Sequence, residues 1–284
     1  MDSAKAALER LAAAFDGTLA VAVRDETTGE TVEHDAEREM PTASTIKLAV
    51  LVTVFERARQ GAISLDETRP ILDEERVGGS GVIKELAAGT ELTIRDLAMY
   101  MVVVSDNMAT NLLIDAAGGV EAVNRYVNDE LGLRAITLRR KLMFSGGRGH
   151  LALAAPRDLA ALVSGLQGGR IVSPEASDEM LGMLARQQYL DQAPRLFDRA
   201  QLIDEMGSEG RIRVACKTGM IDGVRADVGV VWLDGRPVSY AVMSESAADR
   251  GLDLDADPQL VNAEAGWIIV RHLWPADGSG PPPL

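Results

Sequence analysis

Three short sets of residues in this chain could together form a nucleophilic centre. The first is Pro41-Thr42-Ala43-Ser44-Thr45-Ile46-Lys47, where a serine and a lysine stand three residues apart at the head of an apolar run. Positions i and i+3 share a helix face, which sets the Lys47 amine beside the Ser44 hydroxyl. A serine hydroxyl is a poor nucleophile until a base within reach takes its proton. Lysine can be that base only where burial or a neighbouring cation lowers its pKa. Lys47 is followed by Leu48-Ala49-Val50-Leu51-Val52, so its amine enters a helix that is otherwise buried. Taken alone, the pattern equally describes a capping serine followed by a surface lysine.

The second set is Ser105-Asp106-Asn107, directly after the apolar run Met99–Val104. It fits a plain cap for the helix that follows. It also fits a cleft edge, where a hydroxyl relays a proton and an amide holds a substrate carbonyl. The third is Lys217-Thr218-Gly219 at the end of a strand, where Lys217 and Thr218 could meet a substrate carboxylate and Gly219 lets another backbone come close. A charged strand end before a turn has the same look. Only five lysines occur among the 29 basic residues, and two of them, Lys47 and Lys217, fall in these sets. Arginine could not replace a lysine that must lose its proton.

The elements that must position these residues can be read from periodicity. Met1–Phe15 predicts an amphipathic helix with Leu8, Leu11 and Phe15 on one face. Thr18–Val23 and Glu30–His34 read as a hairpin around the turn Glu26–Gly29. Ser44–Gln60 is a helix apolar on nearly every side in its first half, as at the centre of a domain. Helices are expected at Ile94–Val104, Met108–Ala117, Val120–Asn128, Arg157–Gly165 and Pro174–Leu184, then strands at Ile212–Thr218, Asp227–Leu233 and Pro237–Ser244, and a last helix at Pro258–Leu273. The fold class is therefore α+β. One antiparallel sheet of about five strands is flanked by the terminal helices, with an all-helical lobe against it. In residue terms, 1–43 and 210–274 make a discontinuous α/β lobe, 44–209 a helical lobe and 275–284 a disordered tail. The glycine-rich runs Gly78–Gly81 and Ser145–Gly149 lack the strand-to-helix setting of a phosphate loop and read as turns.

Composition narrows the function. The formal charge of -14, without a basic block, speaks against a nucleic-acid partner. Apolar stretches are too short to span a bilayer, and the charged N-terminal residues do not resemble an export signal, so a cytoplasmic protein is expected. Cys216 is the single cysteine and reads as a buried structural thiol. His34, His150 and His272 match no metal-ligand spacing.

In this order and setting, S-x-x-K, S-D-N and K-T-G resemble the set of class A β-lactamases and penicillin-binding proteins. The resemblance runs from about Phe15 to Trp274. It is supported by Gly89–Met101 before Ser105, by Asn107–Leu113 after it and by the strand Arg225–Trp232. It implies a β-lactamase/transpeptidase-like fold and a serine hydrolase of β-lactamase type that forms a Ser44 acyl-enzyme with β-lactams or related amides. Lys47 would be the base, Ser105 a proton shuttle to the leaving nitrogen, and Lys217 a cation that depresses the pKa of Lys47. Asn107 would bind the substrate's side-chain amide. Lys217 and Thr218 would hold its carboxylate, with Arg225 as a helper, and Gly219 would allow the close approach. The N–H groups of Ser44 and Met220 would form the oxyanion hole, a contribution of roughly 2.7–4 kcal/mol per donor. No metal or organic cofactor is implied. The partner is a small molecule (a β-lactam, ester or D-peptide-like amide), with neither nucleic acid nor membrane, and a monomer or weak dimer is expected.

The resemblance breaks at one place. Class A enzymes activate the hydrolytic water with a glutamate in an E-x-x-L-N loop. The corresponding stretch here, Thr137–Gly147, has no carboxylate, and Leu138–Met143 instead resembles an Arg-Lys-apolar pattern of divergent class A-like hydrolases. Three routes remain open. Lys47, His150 or an acid from Gln187–Glu209 activates water; or the acyl-enzyme persists, as in a slow-turnover penicillin-binding protein; or the substrate is an ester or D-amino-acid peptide handled by a cytoplasmic esterase, amidase or D-peptidase.

Overall fold

The computed structural model describes residues 2–143, 150–197, 211–246 and 248–274. The expected tail and the run Ser145–Gly149 lie outside them, as does the second half of Gln187–Glu209. Helix α1 (Asp2–Ala14) leads into strands β1 (Thr18–Asp25), β2 (Thr31–His34) and β3 (Met40–Pro41), and then into α2 (Lys47–Arg59). After β4 (Thr68–Pro70) and β5 (Glu91–Thr93) come helices α3 (Ile94–Val103), α4 (Asn107–Ala116) and α5 (Val120–Arg125). Strands β6 (Thr137–Leu138) and β7 (Ala152–Ala154) precede α6 (Pro156–Gln167) and α7 (Pro174–Leu184). The chain ends in β8 (Ile212–Ile221), β9 (Val224–Leu233), β10 (Arg236–Glu245) and α8 (Asp257–Leu273).

The main sheet is antiparallel with strand order β2-β1-β10-β9-β8, so the two ends of the chain meet at the β1–β10 pair. Period-two alternation divides its faces. Leu19, Val21, Val23, Val231, Val238, Tyr240 and Val242 point to one side, where they pack with Leu8 of α1 and Val261, Ala265 and Ile269 of α8. Ala20, Ala22, Ala215, Ala226 and Ala241 point to the other, and these short side chains let α6 lie across β1, β10 and β9. The second face continues into the helical core, in which every residue of α2 from Lys47 to Glu56 is buried. Among the described residues no helix is long and apolar enough to cross a membrane.

The five-stranded sheet and the helix order agree with the expectation, but three local features differ. The helical middle is not free of strands: β3, β7 and β6 form one small sheet, and β4 with β5 another. Such pieces of two or three residues are too short for an alternating pattern. Helix α2 starts at Lys47 rather than Ser44, because Ala43–Ile46 form a tighter 3-10 turn entered through Ala43 at φ +45°. The helix begun at Val120 passes after Arg125 into a π-helical turn, Tyr126–Glu130.

Leu8 is 1% exposed and seals α1 against the sheet, far from Ser44 in the layer order. Leu8→Ala should cost about 2–5 kcal/mol in urea unfolding. The acylation rate of the folded fraction should stay at the wild-type value, because no residue of α1 lines the cavities beside Ser44.

Candidate active site

Ser44 sits half-buried in the 3-10 turn, at the junction of two cavities. The larger, about 660 Å³, is lined by Ala43, Asn107, Leu142, Met143, Met220 and Leu252 among others. The smaller, about 180 Å³, has Ser105, Thr218, Tyr189, Asp191 and Gln192 in its wall. Ala43 at φ +45° and Ser105 at φ +55° flank this point in a region that side chains other than glycine rarely adopt. Such backbone persists only where the surroundings over-determine it.

The centre of the arrangement is the Ser105 hydroxyl. The buried Lys47 Nζ donates to Ser105 Oγ at 3.0 Å, to Ser105 O at 2.6 Å and to Asn107 Oδ1 at 2.9 Å. The equally buried Lys217 Nζ donates to the same Ser105 Oγ at 3.1 Å and to Thr218 O at 2.7 Å. Both acceptor positions of the hydroxyl are thereby filled, so its own proton is left to be donated onward. The positive φ of Ser105 turns its carbonyl and its hydroxyl toward one amine. The expected contact between Lys47 and Ser44 is absent: among the described residues no hydrogen bond joins them, and the three N–H of an ammonium are all taken by Ser105 and Asn107.

Burial is the larger cause, and the Lys217 charge the next, that holds the Lys47 pKa well below its ordinary value, with Asp106 opposing. Burial also brings Lys217 down to about 8, against the attraction of Cys216 and Asp227. Asp227 is buried and pushed up to about 7 by desolvation, although the Tyr240 hydroxyl and the Ala193 N–H both donate to it.

Asp106 and Asn107 work inward. Asp106 caps α4 by accepting from Ala109 N at 2.9 Å, and its other oxygen accepts from Val82 N and Ile83 N at 2.7 and 2.9 Å. Asn107 donates through Nδ2 to Gly78 O at 3.1 Å and receives Lys47 on Oδ1. The Gly78–Gly81 run, read from sequence as a turn, is thus one wall of the site, with Gly79 and Ser80 lining the larger cavity.

Gly219 of β8 passes directly over the nucleophile: a Cβ there would come within 2.7 Å of both Ser44 N and Thr42 O. Across the two-residue loop Asp222-Gly223, Ile221 pairs with Val224 and Met220 with Arg225. Antiparallel alternation then turns the Met220 N–H away from β9, toward the edge that faces Ser44. Arg225 is set apart. Its guanidinium donates to Gln259 Oε1 at 2.5 Å and to the carbonyls of Ile221, Val224 and Gly251, and it lines neither cavity.

The structure therefore brings Ser44, Lys47, Ser105, Asn107, Lys217, Thr218, Gly219 and Met220 together and leaves Arg225 behind the sheet edge. Sequence reasoning did not name Ser80, Tyr189, Gln192, Asp222 or Leu252 as site residues, and it reached Arg140, Leu142, Met143 and Asp191 only as members of the stretches Thr137–Gly147 and Gln187–Glu209. His150, a candidate for activating water, does line the larger cavity.

The model of the beta-lactamase enzyme family matches residues 3–273. Beta-lactamase L2 of Stenotrophomonas maltophilia is 31% identical over 237 residues, which cover 80% of this chain and 71% of that protein. A beta-lactamase of Streptomyces lavendulae is 31% identical over 261 residues, covering 88% and 80%. Among solved structures, the beta-lactamase from Sphaerobacter thermophilus superposes with TM-score 0.83 at 30% identity, over 99% of each chain. PBP-A shares the fold, with TM-score 0.82 at 23% identity over 96% of each chain.

The lowered pKa of Lys217 has a consequence for stability. The folded chain releases this proton at about 8, whereas the unfolded chain keeps it to about 10.5. Between those values the unfolded state binds more protons, so stability rises with pH. The unfolding free energy of the wild type relative to Lys217→Met should therefore improve by about 3 kcal/mol between about pH 7 and pH 10.5, measured in urea. A difference that stays flat across that range would mean the Lys217 amine keeps its ordinary pKa in the fold.

Proposed function

The chain belongs to the beta-lactamase enzyme family and is a serine hydrolase of the β-lactamase type, and from this premise we propose that Ser44 is its acylated residue. Lys47, in its neutral form, takes the Ser44 proton as the oxygen attacks the substrate carbonyl carbon. The oxyanion that forms is held by the N–H groups of Ser44 and Met220. Collapse breaks the bond to the leaving atom, which receives the Ser105 proton, while a lysine ammonium restores that proton to Ser105. Lys217 and Thr218 hold a substrate carboxylate, and Asn107 sets the position of Lys47 as well as meeting the substrate's amide. The observation that carries this reading is the single Ser105 hydroxyl accepting from both buried amines beside Ser44. Substrates are small molecules of the β-lactam type, and the acyl portion enters the larger cavity, whose Leu142, Met143, Met220 and Leu252 favour an apolar group.

A second reading, a long-lived acyl-enzyme, rests on the wall of that larger cavity. Among its described residues the one carboxylate is Asp222, on the exposed tip of the β8–β9 hairpin. A general base must reach the attacking water directly or through one more water. His150 is the other described group of that kind in this wall.

A chromogenic cephalosporin mixed with the protein should give steady turnover, with a transient Ser44 adduct in the intact mass. A stable adduct without turnover would favour the second reading. Ser44→Ala should remove both signals, and hydrolysis that survives this change would overturn the assignment. Lys47→Ala should slow acylation by about 10³-fold. The Lys217 cation depresses the Lys47 pKa. In Lys217→Met the rising limb of the acylation rate should therefore move to higher pH, and a limb that stays in place or moves to lower pH would exclude Lys47 as the group that titrates.

A further inference from the structure

The smaller cavity beside Ser44 contains a carboxylate that the reading above does not use. Asp191 lines it together with Ser44, Ser105, Thr218 and Met220. Its neighbours fix it there. The Asp191 carbonyl accepts from Gln259 Nε2; Gln192 donates to Gly219 O at 3.0 Å and accepts from Asn262 Nδ2 at 3.1 Å; and the Ala193 N–H reaches Asp227 at 3.1 Å. These bonds run to β8, β9 and α8, so Asp191 is mounted on rigid elements rather than on a free loop. Arg225 is near enough for Asp191 to favour its charge, but its N–H groups go to Gln259 and to three carbonyls. Among the described residues no hydrogen bond or ion pair engages the Asp191 side chain.

Ser105 decides which part of a substrate meets this carboxylate. Its proton goes to the leaving atom, and Ser105 lines the smaller cavity and not the larger. The acyl part therefore lies in the larger cavity and the leaving group in the smaller, against Asp191. A leaving group that carries a carboxylate gains from Lys217 and Thr218 there but is repelled by Asp191. One that carries an ammonium or N–H donors finds in Asp191 an acceptor with no other partner.

Resting on the reading of Ser44 as the acylated residue, we propose that Asp191 biases the choice of leaving group by charge, aiding cationic or donor-bearing groups and offsetting part of what Lys217 and Thr218 give an anionic one.

Three thioesters with one phenylacetyl group test this, because all of them form the same acyl-enzyme and differ only in the group that leaves. The leaving thiols are thiocholine, mercaptoethanol and mercaptoacetate, and released thiol gives kcat/KM. Lys217 and Thr218 aid the mercaptoacetate ester and Asp191 the thiocholine ester, so the wild-type ratio of these two is the reference. Asp191→Asn should lower the thiocholine-to-mercaptoacetate ratio about tenfold, as expected when two opposite substrate charges each lose one nearby carboxylate. The mercaptoethanol ester should change less than about twofold, and added salt should shrink the difference between wild type and Asp191→Asn. Asp191→Glu, which keeps the charge, should keep the ratio. A ratio unchanged in Asp191→Asn, with the phenylacetyl mass still appearing on Ser44, overturns the role of Asp191 and leaves the Ser44 reading intact. If none of the three labels Ser44, both fall together.

Discussion

Two lysine amines share one serine oxygen in the interior of this protein, and most of the surrounding structure answers to that constraint. A buried ammonium is costly unless its donors are met. Lys47 and Lys217 together face Ser105 Oγ, Ser105 O, Asn107 Oδ1 and Thr218 O. Their proximity makes two full charges unfavourable at once, and desolvation acts in the same direction on both. Chemistry and folding are thus in tension at one point. What lets Lys47 give up its proton more readily is the same burial that weakens the fold while the lysines stay charged.

Holding that point requires three distant parts of the chain to agree. The turn before α2 supplies Ser44, the junction of α3 and α4 supplies Ser105, and β8 supplies Lys217. Each is locked by a neighbour with no part in bond making. Asp106 ties the 78–83 loop to the start of α4 through backbone N–H groups of Val82 and Ile83. Gly219 lets β8 lie against the backbone of Ser44 and Thr42, where a side chain would force them apart. Asp227 and Gln192 fasten the 191–193 segment to the sheet and to α8. A carboxylate pushed up to about 7, like Asp227, tolerates its burial because Tyr240 and Ala193 donate to it.

How much of this could be read from sequence depends on the range of the interaction. Apolar, β-prone runs along β1, β9 and β10 and the turn residues between them made the sheet legible, since both are local signals. The triplets around Ser44, Ser105 and Lys217 were legible because chemistry demands particular residue types at particular spacings. The start of α2 was misplaced by three residues: Pro41 is a good local start signal, yet the chain there pairs as β3 with Leu153 and turns through a strained Ala43 first. Arg225 showed only its type and its strand. The carbonyls that hold its guanidinium come from the β8–β9 hairpin and from Gly251, and no local pattern announces such a convergence. Asp191 was legible only as one acid among several in Gln187–Glu209, because its relation to Ser44 exists only after β8 and α8 have packed on either side of the 191–193 segment.

On the reading proposed for Ser44, the two cavities receive the two parts of the substrate, the acyl group on one side and the leaving group on the other. Acylation needs a nucleophile, a base, a proton relay and an oxyanion site, and the residues suited to all four converge where the cavities meet. Release of the acyl group needs a base on the acyl side, and there the wall is Leu142, Met143, Arg140 and His150 with Asp222 at the rim. Instead a carboxylate residue, Asp191, lines the other cavity beside Ser44, on the side the leaving group vacates. For a β-lactam the leaving nitrogen stays tethered after ring opening and continues to fill that side. For an open-chain ester or amide the leaving group departs, and water can enter between Asp191 and the new ester.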